Sequence, residues 1–168
     1  MRIRLYLLIV SLVTIHPGCT VSYSFTGADI PAEAQTFSIQ TFDLITPQAP
    51  PEYGLLLSES MKDLMLAQTR LDLIEKRGDL QFEGVVTGYQ IGNAAISSDE
   101  FTTLNRLTIT VRIKYVNTIE KDKSFEKTFS RFADYDSGQD FTQVQAQLVE
   151  DINSQLTQDI FDSSLGAW

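Results

Sequence analysis

The segment Leu107-Thr-Ile-Thr-Val-Arg-Ile-Lys-Tyr115 has the most regular pattern in this 168-residue chain. Apolar side chains occupy every second position of it, and polar side chains, among them Arg112 and Lys114, occupy the positions between. Because successive side chains of a strand point to opposite faces of a sheet, the pattern predicts a strand with one buried face and one face in water. The buried face of such a sheet must be covered by a second layer.

Weaker patterns on either side of this strand predict the rest of the fold. Alternating or short apolar runs predict further strands at 36–42, 71–74, 80–91 and 125–132, with a bulge near Gly84. Apolar residues at three- and four-residue steps predict helices at 52–69 and 141–161. Asp140, followed three residues later by Gln143, is typical of a helix start. We predict an α+β fold of order β-α-β-β-β-α, in which two helices pack on one face of a mostly antiparallel, about four-stranded sheet.

The N-terminus has the pattern of a secretory signal peptide. Arg2 and Arg4 precede an apolar run that ends at Ile15, and the small residue Gly18 precedes Cys19. We expect bacterial lipoprotein processing that leaves Cys19 as an acylated (palmitate-bearing) N-terminus. One alternative is an unmodified cysteine near a plain cleavage site, since His16-Pro17 is atypical of a lipoprotein processing site. A second alternative is a membrane-spanning anchor, but the apolar run is too short for one.

The predicted organisation is therefore a signal peptide at 1–18, a lipidated N-terminus and tether at 19–35, and a single α/β domain at 36–168. Removal of Arg2 and Arg4 with the signal takes the formal net charge from −9 to −11. This balance argues against a nucleic-acid partner, which requires a basic face. Any contact with a phosphorylated ligand must then come from a local basic patch.

The same processing removes groups that catalysis and metal binding commonly use. His16 is the only histidine and Cys19 the only cysteine, and neither is available in the acylated mature chain. Ser-His and Cys-His nucleophilic sites and the common zinc sites are therefore excluded. We expect no cofactor, no metal and no enzymatic activity. The alternative is a carboxylate-based enzyme acting on envelope glycans, with pairs such as Asp99 and Glu100, or Asp134 and Asp136, as candidates.

Four basic residues form the candidate binding site. Arg106, Arg112 and Lys114 fall on the wet face of the 107–115 strand, and Arg131 on the following strand could join them. Side chains two residues apart on one face lie about 7 Å apart, and arginine suits the geometry of phosphate oxygens. The patch predicts contact with the phosphates of an amphiphile head group. The alternative is an ordinary solvated sheet face whose cations pair with acids.

Several segments together resemble the LptE family of lipopolysaccharide-assembly lipoproteins. They are Tyr23-Ser-Phe-Thr-Gly27, Leu104-Asn-Arg-Leu-Thr-Ile-Thr-Val111, Phe129-Ser-Arg-Phe-Ala-Asp-Tyr-Asp136 and the ending Asp159-Ile-Phe161 with Trp168. These segments occur in the same order as in the family and cover nearly the whole mature chain. The resemblance is to a divergent branch.

The resemblance implies a non-enzymatic lipoprotein on the periplasmic side of the outer membrane. There it would plug and help assemble an LptD-like β-barrel translocon, bind lipopolysaccharide and serve cell-envelope biogenesis. It also implies two helices on a four-stranded sheet. The alternative is an adaptor lipoprotein of another envelope assembly or secretion machine.

Overall fold

The computed structural model describes residues 29–94 and 103–166. The signal segment, Cys19 and the first part of the predicted tether lie outside the described residues. Within them, the helices are α1 (Tyr53–Gln68) and α2 (Phe141–Leu165), and a short 3₁₀ turn spans Lys121–Lys123. The strands are β1 (Thr36–Ile39), β2 (Asp43–Leu44), β3 (Asp72–Leu73), β4 (Leu80–Asn93), β5 (Leu104–Asn117) and β6 (Phe125–Asp136).

The predicted α+β fold with two helices on one sheet is confirmed, with a larger and more mixed sheet than expected. The described strands number six, in the order β3-β1-β4-β5-β6, with β2 also paired to β4. β4, β5 and β6 are antiparallel neighbours, whereas β1 and β2 run parallel to β4. The parallel pairing arises because α1 lies between β1 and β4 in the chain, and parallel strands need such a crossover connection.

The central strand β5 has the two faces that its alternation predicts. Leu107, Ile109, Val111, Ile113 and Tyr115 are buried, and the residues between them are half-buried or exposed. The buried side chains join one hydrophobic core with the inner faces of both helices. The opposite face of the sheet is not covered by either helix.

The bulge in β4 lies three residues beyond the predicted position. Pairing with β5 shifts register between Val86 and Gly88. Gly84 instead remains in register opposite Ile113, where a Cβ would meet the ring of Phe42 at 2.6 Å. The glycine that the pattern singled out is therefore required for the packing of Phe42, not for a bulge.

The second helix begins where its cap predicts and extends further than expected. The carboxylate of Asp140 accepts a hydrogen bond from the backbone N–H of Thr142, satisfying one of the free donors of the first turn. α2 then continues to Leu165, four residues past the predicted end. Its last turn stays buried through Phe161 and Leu165, which explains the extra length.

Candidate functional site

Three of the four predicted site residues share the open face of the sheet. Arg106, Arg112 and Lys114 alternate with the buried side chains of β5 and so point away from both helices. The register places acids directly opposite two of the three cations, whereas Arg112 lies between Val85 and Thr128. Arg106 lies opposite Asp134, and Lys114 lies between Glu83 and Glu126.

Arg112 and Lys114 line a shallow cavity of about 370 Å³. Lys114 donates a 3.0 Å hydrogen bond to Glu83, and Nε of Arg112 lies 3.5 Å from Glu126. Asp43, at the start of β2, lines the same cavity. Three carboxylates therefore face two cations in this groove, so it has no excess of positive charge.

Arg106 forms a separate unit at the other end of the face. Its Nε and Nη2 donate hydrogen bonds of 2.6 and 2.8 Å to the two oxygens of Asp134. Its guanidinium carbon also lies 3.5 Å from the ring centroid of Phe132, which is 47% exposed. Hydrogen bonding to Arg106 holds the pKa of Asp134 below its usual range. Sequence reasoning missed Phe132, because its outward direction depends on the register with β5.

Arg131 does not join this patch, which corrects the sequence-based grouping. It pairs with Ile109, a core residue of β5, and therefore lies on the helix-covered side of the sheet. There its Nε and Nη2 donate hydrogen bonds to the carboxylate of Asp159 on α2. Lys127, four residues earlier on the same side, donates to Ser163. Arg131 thus ties α2 to the edge of the sheet.

Of the candidate catalytic carboxylates, Asp99 and Glu100 lie outside the described residues, and Asp134 and Asp136 have structural partners. Asp134 is held by Arg106, and Oδ1 of Asp136 accepts a hydrogen bond from the backbone N–H of Gly138 in the turn before α2. Across residues 29–94 and 103–166, no group of acidic, histidine or cysteine side chains has the arrangement of a metal site. In that same part of the chain, neither helix is long and apolar enough to cross a membrane.

Comparison with known proteins agrees with the resemblance found in the sequence. The family model described as LptE, lipopolysaccharide-assembly, matches residues 34–164. Curated proteins give no significant match. Among solved structures, hypothetical protein CT253 from Chlamydia trachomatis has a TM-score of 0.53 at 7% identity, over 78% of this chain and 98% of that one. Protein XCC0632 from Xanthomonas campestris has a TM-score of 0.53 at 14% identity, over 78% and 83% of the two chains.

Both structural likenesses concern the fold, since their sequence identities are low. The family match covers both helices and every described strand. The chain therefore belongs to the LptE family of lipopolysaccharide-assembly proteins.

Proposed function

We propose that this protein is an outer-membrane lipoprotein that pairs with an LptD-like β-barrel and contacts lipopolysaccharide during its assembly at the cell surface. The observation that carries the proposal is the family match over residues 34–164, which spans almost all of the described domain. Among the described residues, the segments that resemble the family lie on β5, on the edge strand β6 and on α2. The protein acts in this role by binding and positioning, without catalysis.

Cys19 provides the attachment to the membrane in this proposal. Its acyl chains hold the domain at the periplasmic side of the outer membrane, each buried CH₂ contributing about 0.8 kcal/mol. The chain enters the described domain at Asp29, whose backbone N–H donates a 2.6 Å hydrogen bond to the carbonyl of Leu165. Lys123 reinforces this entry point through a 2.9 Å ion pair with Asp29. The first described residue is thereby held at the end of α2.

The Arg112–Lys114 groove is the proposed contact for lipopolysaccharide phosphates. Both cations are about half exposed and lie side by side on β5. Their ion pairs with Glu126 and Glu83 are also exposed, and pairs of this kind contribute little free energy. Breaking these pairs therefore costs little, but the carboxylates of the groove stay nearby and repel a phosphate, so the contact requires Arg112 and Lys114 to engage the ligand together.

Affinity purification from detergent-solubilised outer membrane, followed by mass spectrometry, tests the proposal. The expected result is co-purification of a β-barrel of several hundred residues together with lipopolysaccharide. Recovery of the protein as a monomer, without a barrel, would contradict the proposed role. Recovery with a different envelope assembly, together with normal surface lipopolysaccharide after depletion of the protein, would favour an adaptor for that assembly instead.

A further inference from the structure

The two helices of this domain have outer faces of opposite character. On α2 the exposed side chains are polar in seven of eight cases: Thr142, Gln143, Ala146, Gln147, Glu150, Asp151, Ser154 and Gln155. On α1 four of six are apolar: Leu55, Leu56, Glu59, Asp63, Leu66 and Ala67. A helix on the surface of a soluble domain normally turns its polar side to water. α2 follows that rule and α1 does not.

The apolar surface of α1 is not a by-product of core packing. The core side of α1 is formed by other residues, among them Leu57, Met61 and Met65, each with 0% exposure. Leu55, Leu56 and Leu66 are 49%, 47% and 50% exposed and contribute little to that core. α1 is therefore apolar on two sides, which is the pattern of a helix that lies between its own domain and a second body.

The exposed apolar side chains of α1 form a stripe that Glu59 and Asp63 interrupt. Leu55 and Leu66, near its two ends, lie eleven residues apart, which corresponds to about 16 Å along a helix. The stripe does not extend to Ile45, because Leu44 faces α1 and the next side chain along the strand therefore faces the open side of the sheet. β2 lies against the start of α1, because a Cβ on Gly54 would meet the Phe42 carbonyl and Leu44.

The charges along the stripe indicate the chemistry of its partner. Glu59 and Asp63 are exposed between the leucines, and Glu52 precedes the first turn. Lys62, which pairs with Glu59 at 2.8 Å, is the one basic residue of α1. Carboxylates here repel anionic lipid head groups and lipopolysaccharide phosphates. They complement a protein surface that places Lys or Arg beside apolar side chains.

We propose that the outer face of α1, defined by Leu55, Leu56 and Leu66, is the surface that docks onto the outer-membrane barrel partner. This assignment rests on the proposed function, because it takes the barrel as the second body. Partner binding and ligand binding would then take place on different faces of the domain. The helix side contacts the partner protein, and the open sheet face remains free for the ligand.

Photo-crosslinking in living cells provides the direct test. A benzoyl-phenylalanine is introduced at Leu55 or Leu66 on α1 and, as matched positions on the other helix, at Gln143 or Ser154 on α2. The expected result is a crosslink to the barrel from the α1 positions only, identified by mass spectrometry. Crosslinks from α1 to a second copy of this chain or to lipid would overturn the assignment, as would barrel crosslinks from α2 alone.

A substitution series gives an independent measurement. The triple variant Leu55→Gln, Leu56→Gln, Leu66→Gln retains helix propensity and should lower barrel recovery about tenfold, the effect of losing interface anchors worth roughly 1.4 kcal/mol. Its melting temperature should match that of the unsubstituted protein, and Ala146→Gln on α2 should change neither quantity. If the triple variant recovers as much barrel as the unsubstituted protein, the assignment of the α1 surface is overturned, but the proposed function is not. Absence of any barrel with the unsubstituted protein would overturn the proposed function as well.

Discussion

The hydroxyl of Tyr53 donates a 2.6 Å hydrogen bond to Oδ1 of Asn153, joining two residues that lie 100 positions apart in the chain. Tyr53 is in the first turn of α1 and Asn153 is in the middle of α2, and their residue exposures are 1% and 5%. Burial raises the pKa of Tyr53 well above its usual value, which keeps the hydroxyl protonated and able to donate. This buried polar contact defines how the two helices meet over the sheet.

Tyr53→Phe should destabilise the domain by about 1–3 kcal/mol, because it leaves the buried Asn153 oxygen without its donor. Urea unfolding monitored by circular dichroism measures the change. The double variant Tyr53→Phe, Asn153→Leu removes both polar groups and should recover part of the loss. A single variant as stable as the unsubstituted protein would show that the hydrogen bond contributes nothing to stability.

Two glycines of β4 offer a matched pair of substitutions. At Gly84 an added Cβ would meet the Phe42 ring at 2.6 Å, whereas at Gly92 it would meet nothing within 4 Å. Gly84→Ala should therefore cost about 1–3 kcal/mol through overpacking, and Gly92→Ala should be neutral or slightly stabilising. Thermal unfolding of the two variants checks the difference. Equal melting temperatures would refute the role given to Gly84.

Asp79 should make stability depend on pH in the acid range. Oδ2 of Asp79 accepts hydrogen bonds from the backbone N–H groups of Gln35 and Thr36 and from the Thr36 hydroxyl, at 3.0, 3.0 and 2.9 Å. These bonds, with that from Gln35 first, lower the pKa of the carboxyl below its usual value. The stabilisation is therefore present above about pH 4, the usual carboxyl range, and is lost as the pH falls through the lowered pKa.

Asp79→Asn should accordingly lower the urea midpoint at pH 7, and its difference from the unsubstituted protein should shrink below about pH 4. The exposed Asp122 supplies the control, since Asp122→Asn should leave the midpoint unchanged at both pH values. A difference for Asp79→Asn that stays constant with pH would contradict the assignment of the effect to the ionised carboxylate.

Substitutions in the Arg112–Lys114 groove test the ligand contact. Arg112→Gln with Lys114→Gln removes both cations, and Gln avoids placing a new acid beside Glu83 and Glu126. We expect lipopolysaccharide binding to weaken by about tenfold or more, given about 1.5–3 kcal/mol for each hydrogen bond to a charged group, with no loss of folding. Binding to immobilised lipopolysaccharide measures the effect. Arg131→Gln, on the other side of the sheet, is the control and should bind lipopolysaccharide normally. Unchanged lipopolysaccharide binding in the double variant would contradict the assignment of the groove as the ligand contact.

Cys19→Ala tests the anchor. Without acyl chains the domain should move from the membrane to the periplasmic fraction, because each buried CH₂ contributes about 0.8 kcal/mol to membrane binding. The fractionation is done with and without depletion of the barrel. Retention of the variant in membranes after barrel depletion would contradict attachment through Cys19. Release only after depletion would show that the barrel also holds the domain.

Much of the fold followed from local pattern. Strict alternation from Leu107 to Tyr115 predicted both faces of β5, because a strand has a side-chain period of two. Apolar spacing predicted both helices, and the Asp140 cap located the start of α2 to the residue. The short apolar run at 71–74 predicted β3, whereas β2 was not predicted, because a two-residue pairing leaves no periodicity to detect. The parallel direction of β1 depends on the crossover through α1, which local pattern does not express.

The candidate site was predicted less completely, for a related reason. Arg131 and Arg106 look equivalent as isolated basic residues in alternating strands, yet they lie on opposite faces of the sheet. Their placement depends on the register of β6 against β5, and a shift of one residue would exchange all side chains between faces. The partners Glu126 and Asp134 depend on the same register, and Glu83 depends on the register of β4 against β5.

Sequence alone thus determined the elements with strong periodicity, the two faces of β5 and the membership of the LptE family, because these depend on residues near one another in the chain or on the order of segments. Tertiary structure decided which cations share a face, which acids pair with them and that the outer side of α1 remains apolar and uncovered. Those properties depend on strand register and on which side of each helix meets the sheet. Both are set by packing between distant segments, as in the contact of Tyr53 with Asn153.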